Sequence, residues 1–113
     1  MHEILNEINA TAGVRGSMIV DKDGLVIISN LMLGLEERAI SAMVASIYRD
    51  VELALGNLGQ EKVAAVSLYA SAGNIIFLCA PNCILTVITE KEVNLGLVSL
   101  KMKASLEKLG QII

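Results

Sequence analysis

The segment Gly16-Ser-Met-Ile-Val-Asp-Lys-Asp-Gly-Leu-Val-Ile-Ile-Ser29 decides the fold of this chain. Two short runs of β-forming residues, Met18–Val20 and Leu25–Ile28, flank the polar sequence Asp21-Lys22-Asp23-Gly24. Glycine adopts the left-handed conformation that closes a short loop, and aspartate side chains bond backbone amides within turns. The segment therefore predicts a β-hairpin, and it carries no group that is typical of a catalytic site.

Apolar residues that recur at steps of three and four predict three helices around this hairpin. The predicted helices are His2–Ala12, which Gly13 would cap, Glu36–Asn57 and Asn94–Leu109. Runs of β-forming residues between turn signals predict three further strands. These strands are Lys62–Tyr69, Ile75–Cys79 and Ile84–Thr89, and Asn30–Gly34 is the predicted connector after the hairpin.

The resulting order is α-β-β-α-β-β-β-α. It predicts an α+β fold in which helices flank a five-stranded antiparallel sheet, with Ile75–Cys79 as a central strand. A chain of 113 residues has room for one hydrophobic core, so we expect residues 1–113 to form a single domain.

The second predicted helix has an unusual surface. Its predicted core face consists of Ile40, Met43, Val44, Ile47, Val51, Ala54, Leu55 and Leu58. The opposite sector carries Arg38, Ala42, Ala45, Ser46, Arg49, Leu53 and Gly56. Small side chains allow another backbone to approach closely, and arginine is favoured at protein interfaces. We expect this sector to be an interface, and an alanine-rich exposed face with good helix propensity is the alternative.

The run Val63-Ala64-Ala65-Val66-Ser67-Leu68 contains no proline and no charged residue. At the edge of a sheet such a strand is a template for pairing with a second copy of itself. The chain is also 54% apolar, above the roughly 45–50% of ordinary soluble domains. Because a small domain has much surface for its volume, we expect a homo-oligomer to cover the excess.

The composition argues against several partners. The formal net charge is −3 with no basic block, and only three aromatic residues are present, so we expect no nucleic-acid partner. No apolar run reaches the roughly 18 residues of a membrane span, and the acidic start is unlike a secretory signal. We therefore expect a cytoplasmic protein that does not insert into membranes.

The sequence also lacks the constellations of an enzyme or a metal site. It contains no phosphate-binding Gly-x-x-x-x-Gly-Lys-Ser/Thr loop, and His2 is a poor general base at a chain terminus. Cys79 and Cys83 together with His2 cannot supply four zinc ligands. We interpret the cysteines as small apolar residues on facing strands in a reducing compartment, with a redox pair as the alternative. We expect no enzyme activity, no cofactor and no metal.

In this order the segments resemble the Roadblock family of dynein light-chain-like domains, prokaryotic type, which is related to the longin and profilin architectures. The landmarks are Gly13-Val14-Arg15-Gly16-Ser17, Asp21-Lys22-Asp23-Gly24-Leu25-Val26, Ala39-Ile40-Ser41-Ala42 and Asn94-Leu95-Gly96. The similarity covers essentially the whole chain.

The resemblance implies a homodimer or a heterodimer in which the third strands of two protomers pair into one ten-stranded sheet and the two second helices lie side by side. The dimer contacts expected on this basis are Val63, Ala65, Val66, Ser67, Leu68, Tyr69, Ser46 and Leu53.

It also implies a Ras-like small GTPase as partner, whose nucleotide cycle or localisation the protein regulates. The expected docking residues are Arg38, Ala42, Ala45 and Arg49. A small-molecule sensor with a pocket between sheet and helix, or a dynein-type structural adaptor, are the alternatives.

Overall fold

Three helices and five strands follow the predicted order in the computed structural model, which describes residues 1–59 and 62–112. The helices are α1 (His2–Asn9), α2 (Glu37–Asn57) and α3 (Leu95–Ile112). The strands are β1 (Val14–Val20), β2 (Val26–Leu31), β3 (Ala65–Tyr69), β4 (Asn74–Cys79) and β5 (Ile84–Thr89). The predicted α+β class is confirmed. None of the helices in the described residues is both long and apolar enough to cross a membrane.

The sheet places the last strand in its middle. All neighbouring strands pair antiparallel in the order β2-β1-β5-β4-β3, and every residue of β5 is buried. β4 is an inner strand as predicted, with Phe77 buried on one face and Ile76 and Leu78 on the other. The middle position belongs to β5, because β1 pairs with β5. Ile75 and Cys79 of β4 are half-buried.

The predicted hairpin between β1 and β2 is confirmed in its details. The backbone N–H of Asp21 donates to the carbonyl of Leu25 at 2.9 Å. The Asp21 carboxylate accepts from the N–H groups of Asp23 and Leu25, each at 2.9 Å. Gly24 has a φ of +94°, the left-handed conformation that the turn requires. Both strands run further than predicted, from Val14 and to Leu31.

Helices α1 and α3 cover one face of the sheet. Leu5 and Ile8 of α1 and Val98, Met102 and Leu109 of α3 are buried there in one cluster.

Helix α1 is shorter than predicted. It ends at Asn9 because the chain turns sharply, with the N–H of Val14 donating to the carbonyl of Thr11 at 3.1 Å. Gly13, the predicted cap, has its left-handed φ of +90° in this turn rather than at the helix end.

Helix α2 covers the other face alone, and its buried side is rotated from the prediction. Its buried residues are Ser41, Val44, Ala45 and Tyr48. The cause is the hairpin turn, which packs on one flank of the helix. A Cβ on Gly24 would lie 3.3 Å from that of Ala45, and the Lys22 ammonium lies 5.2 Å from the Tyr48 ring centroid.

This rotation leaves part of the predicted core face of α2 outside the core. Ala54 and Leu58 are exposed, with Leu58 at 75%. Ile40, Met43, Ile47 and Val51 are only half-buried. We call these four residues the α2 apolar strip. The side of α2 that faces away from the hairpin is thus apolar but incompletely covered.

Candidate interaction surface on strand β3 and helix α2

Strand β3 presents unpaired backbone groups along the edge of the sheet. Hydrogen bonds join Cys79 N–H to Ala64 carbonyl and Ala70 N–H to Gly73 carbonyl, each at 2.9 Å. These pairs lie one step beyond either end of the β3–β4 register. Bonded and non-bonded pairs alternate along an antiparallel ladder. The even-numbered residues of β3 therefore bond β4, and the N–H and C=O groups of the odd-numbered residues point outward.

The outward groups belong to Ala65, Ser67 and Tyr69, whose side chains are also exposed. The side chains of Val66 and Leu68 project to the α2 face of the sheet, where Val66 packs against the core and Leu68 is 36% exposed. The strand therefore combines free hydrogen-bonding groups with partly exposed apolar side chains, a combination typical of a pairing edge.

The α2 apolar strip continues this edge. Ile40, Ile47 and Val51 pack against the same cluster as Val66. Met43 and Leu68 both line a groove of about 360 Å³, together with Ile75 and Arg15. Edge strand and helix flank thus form one continuous surface that this chain alone does not cover.

Val63 does not belong to this surface. We predicted it as a dimer contact, but it precedes β3 and is buried to 5% exposure in the cluster beneath α2. It packs with Val44, Tyr48 and Phe77 of its own chain. The prediction is wrong for Val63, because the strand begins two residues later and the chain folds Val63 under the helix.

The arginine-bearing sector of α2 lies on the other flank, towards the hairpin. Arg38, Ala42 and Arg49 are exposed and follow one another at steps of four and seven residues along one row of the helix. Ala45, predicted to stand beside them, is only 2% exposed. It contacts the hairpin turn at Gly24, so the expectation that Ala45 forms open docking surface is wrong.

The outermost face of α2 separates these two flanks. Ser46 is exposed and Leu53 is 69% exposed there, opposite the buried side of the helix. Their assignment to a dimer contact stays a prediction.

Sequence reasoning missed a third set of exposed apolar side chains near the hairpin. These are Leu25, Ile27, Met32 and Leu33. Ile27 lies in β2, the second edge strand of the sheet, and the other three lie just before or just after it. The available sequence signal was the unbroken apolar run Leu25–Ile28, which does not alternate. In the structure the β1–β2 register shifts at Ile19/Val20, which leaves Ile27 without a partner in β1.

The cysteines lie on opposite faces of the sheet. Cys79 packs with the α2 cluster and Cys83 with the α1–α3 cluster, and both are free thiols. Burial raises the pKa of Cys79 to about 11, with Lys22 opposing the rise, and burial also raises the pKa of Cys83. Both thiols are protonated at neutral pH, which fits the interpretation as apolar residues. Across the part of the chain that the structure describes, no group of three or more His, Cys, Asp or Glu residues could hold a metal.

The architecture defines the class of protein first. An antiparallel five-stranded sheet with helices on both faces is shared with profilin II of Acanthamoeba castellanii, which superposes with a TM-score of 0.63 at 17% identity, covering 99% of this chain and 95% of that one. MglB of Myxococcus xanthus superposes with a TM-score of 0.90 at 18% identity, covering 97% and 84%. At these identities the likeness establishes a profilin-like fold.

Sequence similarity then defines the family. Residues 1–89 match the Roadblock/LC7 domain. The uncharacterized protein MJ1340 of Methanocaldococcus jannaschii is 34% identical over 106 residues, which cover 94% of this chain and 93% of that protein. The chain belongs to the Roadblock/LC7 domain family, as its sequence landmarks indicated.

Proposed function

We propose that this protein is a homodimeric platform that binds a Ras-like small GTPase and regulates its nucleotide cycle or its localisation. The observation that carries the dimer is the row of outward N–H and C=O groups on β3 beside the α2 apolar strip. Membership of the Roadblock/LC7 family supports the GTPase partner that the sequence resemblance implies.

Pairing between two copies of β3 satisfies both features of that edge. The outward groups of Ala65, Ser67 and Tyr69 would bond the same groups of the partner in an antiparallel ladder. The same approach brings the two α2 apolar strips together and buries Met43 and Leu68, which the single chain leaves partly exposed. A two-fold axis is the natural operator, because one self-complementary patch then serves both subunits.

The GTPase docks on the arginine-bearing sector of α2, which this dimer leaves free. Arg38 and Arg49 supply charged contacts, and Ala42 between them allows close approach. The exposed side chains of Leu25 and Ile27 on the neighbouring hairpin add apolar area. Such a surface acts by holding the switch loops of the partner in one conformation, which shifts an existing equilibrium without adding a catalytic group.

The test is binding of the purified protein to the Ras-like GTPases of the same organism, loaded with GDP or a GTP analogue. The Arg38→Glu/Arg49→Glu double variant is expected to weaken binding by about tenfold or more, since charge reversal at an interface introduces repulsion. Lys91→Glu/Lys103→Glu is the matched control, because it reverses two exposed charges away from α2. Both variants are expected to remain dimers.

Each outcome is informative. Undiminished binding by the arginine variant contradicts the docking site, and failure of every GTPase to bind contradicts the platform function. Hydrolysis and nucleotide-exchange rates with and without the protein then separate regulation of the cycle from localisation alone. Substitution of Ala45 is not a suitable probe, because a charge there would be buried in the core.

A further inference from the structure

A cleft of about 290 Å³ lies at the carboxyl-terminal half of α2. It shares no lining residue with the groove that contains Met43 and Leu68. Four separate parts of the chain meet there: the hairpin turn, the second half of α2, the residues that precede β3, and the β4–β5 turn. The residues that matter for its chemistry are Lys22, Tyr48, Glu52, Lys62, Val63 and Pro81.

Cationic groups dominate the polar part of the cleft. Among the residues that the structure describes, Lys22 and Lys62 line it together with one carboxylate, that of Glu52. The Tyr48 hydroxyl donates to Glu52 Oε2 at 3.0 Å, which occupies part of that carboxylate. The ring of the same tyrosine holds the Lys22 ammonium 5.2 Å from its centroid. The lining is thus net positive in a chain whose formal net charge is −3.

The position of Lys22 is fixed by the fold. It is half-buried in the hairpin turn, whose backbone is held by the Asp21 carboxylate, and it lies against a tyrosine that is itself buried. Its charge also acts on the floor of the cleft, where it favours the thiolate form of Cys79 against the effect of burial on that pKa. An anion in the cleft would experience the same attraction.

The floor and one wall are apolar. Val63 is buried beneath α2, and Cys79, Ala80 and Pro81 complete this side. A cleft with an apolar wall and a few convergent polar groups is the usual form of a small-molecule site, and this volume is close to the lower end of the roughly 300–1,000 Å³ range of such sites.

We propose that this cleft binds a small organic acid, with its carboxylate between the Lys22 and Lys62 ammonium groups and its apolar body against Val63 and Pro81. Charge complementarity selects the head group, and the apolar wall selects an organic body over an inorganic anion. Neither lysine is among the residues proposed to contact the GTPase or to pair β3, so substitution of Lys22 tests the cleft separately from those contacts.

The experiment is a titration of the isotope-labelled full chain, followed by the backbone amide resonances, with benzoate and with inorganic phosphate as probes at constant ionic strength. Benzoate is expected to give saturable shifts confined to the residues around the cleft, and phosphate is expected to bind more weakly. Lys22→Met keeps the apolar stem over Tyr48 but removes the charge, and it is expected to weaken benzoate binding by about tenfold, the effect of one charge-assisted contact. Lys91→Met, an exposed lysine outside the cleft, is the control and is expected to bind as the original chain does.

Several results overturn the proposal. Benzoate shifts that rise linearly without saturation mean that no site exists. Equal affinity of Lys22→Met and the original chain for benzoate means that Lys22 does not contribute to binding. Equal affinity for phosphate and benzoate contradicts the assignment of an organic acid. The amide spectrum of each variant without probe establishes that its fold is intact, so loss of binding is attributable to the substituted charge.

Discussion

Replacing Ser67 by proline tests the pairing edge directly. The N–H of Ser67 points away from β4, so a proline at this position removes no hydrogen bond from the sheet of the single chain. Its extended neighbour Val66 also suits the conformation that a proline imposes on the residue before it. We therefore expect Ser67→Pro to fold as the original chain does and to fail at self-association.

The size of the effect follows from the number of bonds lost. In a two-fold dimer both copies lose one intermolecular N–H donor, so two hydrogen bonds disappear. At roughly 0.5–1.5 kcal/mol each, the loss is about 1–3 kcal/mol. Because about 1.4 kcal/mol corresponds to a factor of ten, the dissociation constant of the dimer should rise roughly 5- to 150-fold.

Sedimentation equilibrium over a dilution series measures this change, and circular dichroism monitors the fold. Ser71→Pro is the matched control, because it makes the same substitution at an exposed residue of the β3–β4 turn, outside the pairing edge. An unchanged dissociation constant for folded Ser67→Pro would refute the β3 seam. A monomeric original chain would refute the dimer itself.

The remaining predictions concern stability. Phe77→Ala should lower the free energy of unfolding by about 3–5 kcal/mol in a denaturant titration, because Phe77 is fully buried under α2; a loss under about 1 kcal/mol would contradict this packing. Gly24→Ala should destabilise more than Gly34→Ala: both glycines have a φ of +94°, but only the new Cβ at Gly24 meets Ala45, and equal losses would show that this contact is unimportant. The denaturant midpoint of unfolding should decrease as the pH is raised from 9 to about 11, because the folded state holds the Cys79 proton that the unfolded state releases. This decrease should be smaller in Cys79→Ala, and an equal decrease in that variant would contradict the assignment to Cys79.

The order of elements was predictable because its signals are local. The turn at Asp21 and Gly24 contains within a few residues every group that closes it. The length of α2 was predictable to within one residue from its apolar repeat. The run without charge or proline indicated that β3 would be a pairing template if it lay at a sheet edge, and the structure places β3 at the edge of the sheet.

The buried side of α2 was not predictable from its periodicity alone. Its apolar residues are distributed over more than half of its circumference, so the repeat does not state which part faces the sheet. The choice depends on the hairpin turn, where Gly24 allows a close approach to Ala45. That contact joins residues from two distant segments, and it turns Ala45 inward and leaves the α2 apolar strip half-covered.

The composition of the cleft has the same origin. Nothing in the sequence around Lys22 relates it to Tyr48 or Lys62, and only the packing of the hairpin against α2 brings them together. The position of Val63 likewise depends on where the ladder between β3 and β4 begins. The register begins at Ala65, so Val63 lies outside the strand and is buried in the core.

The central place of β5 has a consequence for how the chain is made. Synthesis delivers β1 before β2, α2, β3 and β4, yet the strand that pairs with its other edge, from Val14 opposite Thr89 to Val20 opposite Ile84, follows all four of them. Until then the early hairpin has an open flank and cannot nucleate a growing sheet by simple addition. Pairing of β1 with β5 therefore closes a long loop, which is a slow kind of folding step. A nascent chain that is released before β5 lacks the middle strand of its sheet and not merely an edge strand.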